Sequence, residues 1–493
     1  MPWLDAGSAF VAELRMPSRD IFSNLSPLDN RYWLSNGRVF DELSERVSER
    51  AMVRTCARVE AALVRAHLAR RGRSDPSLDE TLLRAARDID PDAVAVEEEK
   101  TRHNIRALVN VFQRGLPDDV APFVHLGATS ADILDTARSL AVREAVAEVV
   151  LPLLAKVDLE LCKLAVEEAG TPQVGRTHGQ HAVPITFGFA MAEYASRLGQ
   201  SVLRARESVR SLRGKLSGAT GSYNALSMIY PDPEEFEREF LARLGLEPAP
   251  HSTQIVEPEP MLRLLLELDL SFGVLANVAD DFRNLQRTEI GELREAFGKD
   301  QVGSSTMPQK RNPWNSEHVK SLWKAFSPRV ASFLLDQISE HQRDLTNSAS
   351  ERFVVDWLAG LAAAANRMLG VLRGVVPDRE RMLANLSMTG ATLLAEPAYI
   401  LLAESGRADA HEVIRRATLA VEKEGLGFGE ALRREPGAFE AIAARLRALG
   451  HDDAGDFFSK PWSYNGRAAE RARKVGTEYR ALMAGIAEGS GTS

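Results

Sequence analysis

The chain has 493 residues, enough for two or three domains with a large core, and its 44% hydrophobic and 26% charged residues place it among globular proteins. A formal net charge of −8 leaves no basic surplus for nucleic-acid binding, although a locally positive pocket for a small anion remains open. Two cysteines, Cys56 and Cys162, exclude a disulfide framework, no CxxC or Cys/His cluster suggests zinc, and 6% aromatics beside abundant Ala and Leu point to helix packing.

Residues 1–20 read as a loosely anchored extension. Their opening, MPWLDAGSAFVAELR, lacks the basic start and apolar run of a secretory leader. No run of about 18 uninterrupted apolar residues exists; 359–376 comes nearest but carries Asn366, Arg367 and Arg373. The expectation is a soluble, cytoplasmic protein. Residues 22–33, FSNLSPLDNRYW, are turn-rich, and 37–122 are helical. Met52, Cys56, Val59, Leu63 and Ala66 recur at steps of four and three, one buried stripe that Arg70, Arg71 and Gly72 terminate. From 123 to about 375 come long helical segments: 131–169, broken only by Pro152 and closed by Gly170, then 186–214, then 258–295 with its stripe Leu262, Leu265, Leu266, Leu268 and Leu275. A helix of about thirty residues spans roughly 45 Å, so such rods side by side make a long bundle. Apolar residues on more than one face hint at burial against other subunits. Residues 376–493 form a smaller helical region with an amphipathic helix at 409–425, and the tail GIAEGSGTS frays. The expected fold is all-α in three parts, 1–122, 123–375 and 376–493, with a central long-helix bundle. There is no internal repeat, Gly-rich dinucleotide fingerprint or Walker-type loop.

Four polar clusters interrupt this helical text. TRHNIRAL (101–108) places His103 at a helix start, either as a structural histidine or as a functional one. In VHLGATSADILDTA (124–137), Thr129 and Ser130 precede a helix; they are N-caps, or donors to a carboxylate beside exposed helix-start amides. VGRTHGQHAVPITFG (174–188) is made irregular by Gly175, Gly179 and Pro184. Its His178 and His181 at i and i+3 find no carboxylate or thiolate to complete a metal site, and His178 beside glycine suits a general acid near neutral pH. GKDQVGSSTMPQKRNPWNSE (298–317) is a poor helix and a poor strand held between helices, either a solvated connection or a functional loop. Serine is no base at its solution pKa. Amides of the Gly-Ser-Ser turn and Lys310 would stabilise its alkoxide, while Lys310 and Asn312 would meet charge on a substrate carboxylate, and loop closure would exclude water.

Three of these stretches carry a resemblance. GSSTMPQKRNP resembles the signature loop of the fumarase/aspartase superfamily, enzymes that eliminate fumarate from a succinyl group, and HLGATSAD and GRTHGQHAVP resemble its other shared segments in the same order. SPLDNRY (26–32), GATGSYNA (218–225), STQIVEP (252–258) and HQRDLTNSASERF (341–353) are similar to the adenylosuccinate lyase branch. By that resemblance Ser304 is the base, His178 protonates the departing nitrogen, and Glu317 pairs with that imidazole. Lys310, Asn312, Thr129 and Ser130 hold carboxylates, His103 and His125 bind substrate or orient the acid, and Gln254 contacts the succinyl group or ribose. Thr177 and Ser305 join the substrate-binding set. Arg31, Tyr32, Arg343, Ser348 and Arg352 supply phosphate donors, the arginines alternatively making structural ion pairs.

The resemblance further implies β-elimination of fumarate from adenylosuccinate and from SAICAR, no metal or organic cofactor, and a homotetramer whose sites each draw on three subunits. Neither nucleic acid nor membrane is an expected partner. Asn104 stands where that branch usually has aspartate, Asn30 where glycine is common and His181 where proline is frequent; the first bears on how His103 is tuned. Alternatives are another fumarate-releasing lyase of the argininosuccinate lyase or carboxymuconate cycloisomerase type, or a non-catalytic structural homologue.

Overall fold

A computed structural model of the chain describes residues 20–298, 305–451 and 453–489. The expected extension at 1–19, the end of the tail expected to fray at 490–493, and Gly303 and Ser304 of the polar loop lie outside the described residues.

Long helices dominate. Leu151–Glu167, Phe187–Arg210, Glu259–Leu285, Phe353–Gly374 and Ala468–Ala487 share one apolar core, where Leu198, Phe272, Phe282 and Trp357 are fully enclosed. Ala362 to Ala365 are buried too, and their small side chains let neighbouring helices approach closely. Arg31–Val47, through Phe40, Leu43 and Val47, packs into this same core, so both ends of the described chain return to the bundle. A second core forms around Glu49–Ala69, whose Cys56, Val59, Leu63 and Ala66 are buried as their spacing predicts, and it includes residues from Leu216 to Leu246. A third gathers residues 394–458. Cys56 and Cys162 are buried free thiols.

Several elements differ in detail from their expected form. Residues 131–169 are two α-helices, Ser130–Ala145 and Leu151–Glu167, joined by a π turn at Val146–Val150. Pro152 cannot donate to a preceding carbonyl, and the backbone widens there so that the Leu151 N–H reaches Val146 O. The helix expected to run to Gly214 ends at Arg210; Arg213–Gly214 instead pairs in parallel with Glu247–Pro248. The 258–295 segment is helical only over Glu259–Leu285, and Leu266 faces outward, as does Leu270. The irregular stretch at 174–188 is an antiparallel hairpin, Pro172–Thr177 with Gln180–Thr186. Its two-residue turn has φ 55° at His178 and 74° at Gly179, the positive pair that a type I′ turn requires.

Two stretches, Ser350–Gly374 and Arg379–Glu404, have the length and hydropathy of a membrane-crossing helix. The apolar window of the first is 67% buried inside the protein, as a bundle core helix must be.

The bundle also encloses an unpaired acid. Asp158 is fully buried, its Oδ2 has only the Cys162 thiol at 3.8 Å, and its Oδ1 has no hydrogen-bond partner. Burial raises its pKa well above the ordinary carboxylate value. The folded state therefore keeps a proton that the unfolded chain releases, and this group costs more stability as pH rises above about 4. Asp158→Asn is expected to raise the thermal midpoint by a few degrees at pH 8, with the gain shrinking as pH falls toward 4. Scanning calorimetry across that range checks it; a pH-independent difference contradicts it.

Candidate active site

The start of the Ser130–Ala145 helix is built from buried charge. Asp132 accepts from the Thr129 N–H at 2.7 Å and from the Ser217 and Gly218 N–H groups at 3.1 and 3.3 Å, and pairs with Lys215. Both members of that pair are fully enclosed, so the amides around Thr129 and Ser130 are fixed against the 215–218 segment. His125 has φ 61° and reaches the turn through Gly127, where a Cβ would sit 2.7 Å from Leu226. Glu60, fully buried, accepts from the His125 N–H at 2.9 Å and lies 2.7 Å from its Nδ1. Burial acts to lower the pKa of His125, but the Glu60 bond and charge, helped by Asp132, outweigh it and raise the imidazole above its usual value. His125 is thereby suited to donate to a carboxylate.

His103 caps the Asn104–Arg114 helix, its Nδ1 accepting from the Arg106 N–H at 3.2 Å. The proton is left to Nε2, which lies 3.4 Å from Ser130 Oγ. Asn104 turns its Oδ1 to its neighbour Ile105 N–H at 2.7 Å. His103, His125, Thr129 and Ser130 thus form one group. Gln254 and Arg343 form a second, with Arg343 Nη1 3.2 Å from Gln254 Oε1 and the Gln254 N–H bonded to Gln342 O. Ser348 is exposed, with its hydroxyl turned to Leu345 O at 2.8 Å, and exposed Arg352 ends the short turn before Phe353–Gly374. The helix carrying Ser130 touches this second group, because Asp135 Oδ2 accepts from the Val256 N–H at 3.0 Å.

The hairpin and the polar loop lie elsewhere. Thr177 and His178 are exposed at the hairpin tip. Its base is tied by buried Glu292, which accepts from Gln173 at 2.8 Å, Asn385 at 2.9 Å and Arg176 at 2.5 Å. His181 is not a metal partner for His178: its Nδ1 is 2.6 Å from Thr389 Oγ1, and burial with the nearby Arg176 charge lowers its pKa. Among the described residues no group of three or more His, Cys, Asp or Glu could hold a metal ion.

Past Glu292 the chain enters the polar loop. Glu295 receives the Asn315 and Ser316 N–H groups at 3.3 and 2.8 Å and so occupies the start of the Trp314–Phe326 helix. Gln286 ties the loop's two feet, accepting from the Glu295 N–H at 2.8 Å and donating to Arg311 O at 3.2 Å. Ser305 and Lys310 are exposed, Asn312 is half-buried, and Glu317 is exposed in the first turn of that helix. Tyr32, expected to donate to a phosphate, lies with its hydroxyl 3.2 Å from His318 Nε2, while Arg31 is exposed at a helix start beside it.

Helix Glu259–Leu285 measures the separation. Gln254 and Val256 stand just before its first turn and Gln286 at its last, and 27 residues span roughly 40 Å. His103, His125, Thr129, Ser130, Gln254, Arg343, Ser348 and Arg352 belong to its first end. His178, Ser305, Lys310, Asn312, Glu317, Arg31 and Tyr32 belong to the other.

Sequence reading passed over Glu60, Lys215, Gln286, Glu292 and Glu295, all of which position site residues. Glu60 left a signal, an acid within the buried stripe between Cys56 and Leu63. The others become visible only through long-range contacts.

Comparison with known proteins places this arrangement. The family model described as Lyase matches residues 31–324, and that described as Adenylosuccinate lyase C-terminal matches residues 339–451. A solved structure, the 3-carboxy-cis,cis-muconate lactonizing enzyme from Pseudomonas putida, superposes with a TM-score of 0.75 at 26% identity, covering 93% of this chain and 100% of that one. Fold and family match thus define a lyase of the mostly helical, three-part kind. The adenylosuccinate lyase of Pyrococcus horikoshii is 34% identical over 91% of this chain and 96% of its own length, and that of Archaeoglobus fulgidus is 34% identical over 91% and 97%. The chain belongs to the adenylosuccinate lyase family.

Proposed function

We propose that the protein cleaves adenylosuccinate to AMP and fumarate, and SAICAR to AICAR and fumarate, as a carbon–nitrogen lyase of purine biosynthesis in the cytoplasm. One observation carries this reading: similarity to adenylosuccinate lyases extends along 91% of the chain and includes the C-terminal module as well as the shared lyase part.

In this reading His178, presented at an exposed turn, protonates the leaving nitrogen as Ser304 removes the proton beside the succinyl carboxylate. Lys310 and Asn312 meet the negative charge that develops on that carboxylate, and Glu317 pairs with the acid. His125, held toward its charged form by Glu60, donates to a carboxylate together with Thr129 and Ser130. His103 presents Nε2 toward the same place. Arg31, Tyr32, Arg343, Ser348 and Arg352 bind phosphate, and Gln254, Thr177 and Ser305 complete the substrate contacts. Tyr32 must turn from His318 to take part. No metal or organic cofactor enters these steps.

The two groups stand roughly 40 Å apart along one helix, far more than one nucleotide bridges. The reading therefore needs a second copy of the chain to bring its His178 end to the Gln254 end of the first. A homotetramer with shared sites meets that need. Outward-facing Leu266 and Leu270 on the longest bundle helix suit such packing.

Purified protein is expected to release fumarate from adenylosuccinate, read as an absorbance change with AMP confirmed chromatographically. Inertness toward both purine substrates together with cleavage of argininosuccinate, or ring closure of carboxymuconate, moves the chain to another branch. Inertness toward all four leaves only a structural role.

A further inference from the structure

Between the two segments proposed to hold substrate at the Gln254 end lies a mostly apolar cavity of about 100 Å³, and Asp135, Arg138 and Glu351 are among the charged side chains in its wall. Arg138, one turn after Asp135 on the Ser130–Ala145 helix, places Nη2 2.8 Å from Glu351 Oε2 and Nη1 3.7 Å from Asp135 Oδ1. Asp135 Oδ2 in turn accepts from the Val256 N–H, two residues beyond Gln254. Glu351 directly precedes Arg352 and lies three residues after Ser348. One guanidinium thus connects the helix that starts at Ser130, the segment that carries Gln254 and the segment that carries Arg343, Ser348 and Arg352.

Charge balance says what Arg138 does there. Arg138 is the cation bonded to Asp135 and Glu351, and its charge also acts on nearby Asp336, in a wall whose uncharged members are largely apolar, among them Leu262, Leu265, Phe333 and Val354; Arg213 and Glu257 complete its charged set. Burial and Glu351 push the pKa of Asp135 up while Arg138 opposes them. Without Arg138, Asp135 and Glu351 would lose their ion-pair partner, and the 343–352 segment, bonded to the Gln254 segment through Arg343 and Gln342, would lose its own tie to the Ser130–Ala145 helix. None of the three side chains is among the groups proposed to touch substrate.

We propose that Arg138, through Glu351 and Asp135, is a positioning residue that fixes the Gln254 segment and the 343–352 segment at the separation a bound nucleotide requires. The inference rests on the proposed function for its substrate, but the strut itself is a property of the fold. Loss of the strut leaves proton transfer intact and lets the two halves of the binding surface drift, so KM rises and kcat holds.

The test compares wild type with Arg138→Met, Arg138→Lys, Glu351→Gln and the double variant Arg138→Met/Glu351→Gln. Expected are a rise in KM for adenylosuccinate of about 10-fold in Arg138→Met with kcat within about twofold, partial recovery in Arg138→Lys, and a double variant no worse than the poorer single. Amide hydrogen exchange at 252–258 and 342–352 is read on the same proteins without substrate, and it is expected to quicken in Arg138→Met while the bundle helices stay protected. Unchanged exchange in both segments overturns the strut, as does a KM penalty in the double variant equal to the product of the singles. An inactive wild type with the exchange change intact sinks the proposed function and leaves the strut standing.

Discussion

His178→Asn is expected to lower kcat for fumarate release by about 10²–10⁴-fold, the loss typical of a removed general acid. Asparagine is chosen because position 178 has φ 55°, which most side chains resist and Asn tolerates, so the turn is kept. The residue is exposed at a hairpin tip whose stability comes from its base, where Arg176, Gln173 and Asn385 converge on Glu292. Circular dichroism and the thermal midpoint should therefore match wild type, and the deficit belongs to chemistry. KM is expected to stay within a few-fold, because the lost interaction forms as the C–N bond breaks. Turnover within threefold of wild type would remove His178 from the mechanism. The remaining acid candidates would then be His103 and His125, and a carboxylate partner raises the pKa of His125.

How far the site was legible in the text depends on the range of the forces that build it. Helices announced themselves because periodic apolar residues meet a core every three or four positions, as Cys56, Val59, Leu63 and Ala66 do. The His178 hairpin did not, since its strands hold Gly175 and Pro184, residues that read as breakers. A two-stranded ladder tolerates both, because each strand is an edge and the register slips between Val174 and Arg176. Site residues stood out where they cluster in the chain, as at 124–132, and the structure joins His103 to that cluster through Ser130. Tyr32 shows the limit: its likeness to a phosphate donor says nothing of His318, nearly three hundred residues away, with which its hydroxyl is paired. Glu295 and Gln286 were silent for the same reason, since a polar residue that caps another helix or ties the feet of a loop looks in sequence like any solvated one.

Mixing two nearly inactive variants is expected to restore activity. His178→Asn disables one end of the long helix and His103→Asn the other; asparagine at 103 can still cap the Asn104–Arg114 helix, so the second variant folds as well. If each catalytic centre takes its His178 from one copy and its His103 from another, random reassembly gives about a quarter of the centres both native histidines. The mixture, unfolded together and refolded, should then recover about a quarter of wild-type turnover, while each variant treated alone recovers almost none. The separation of roughly 40 Å makes the outcome decisive, because a centre completed within one chain could never regain both groups by exchange of subunits. Activity no greater than the sum of the two parents would mean that His103 and His178 do not serve one centre across a subunit boundary. The reading of a shared active site would fall with it, even if the isolated chain still released fumarate.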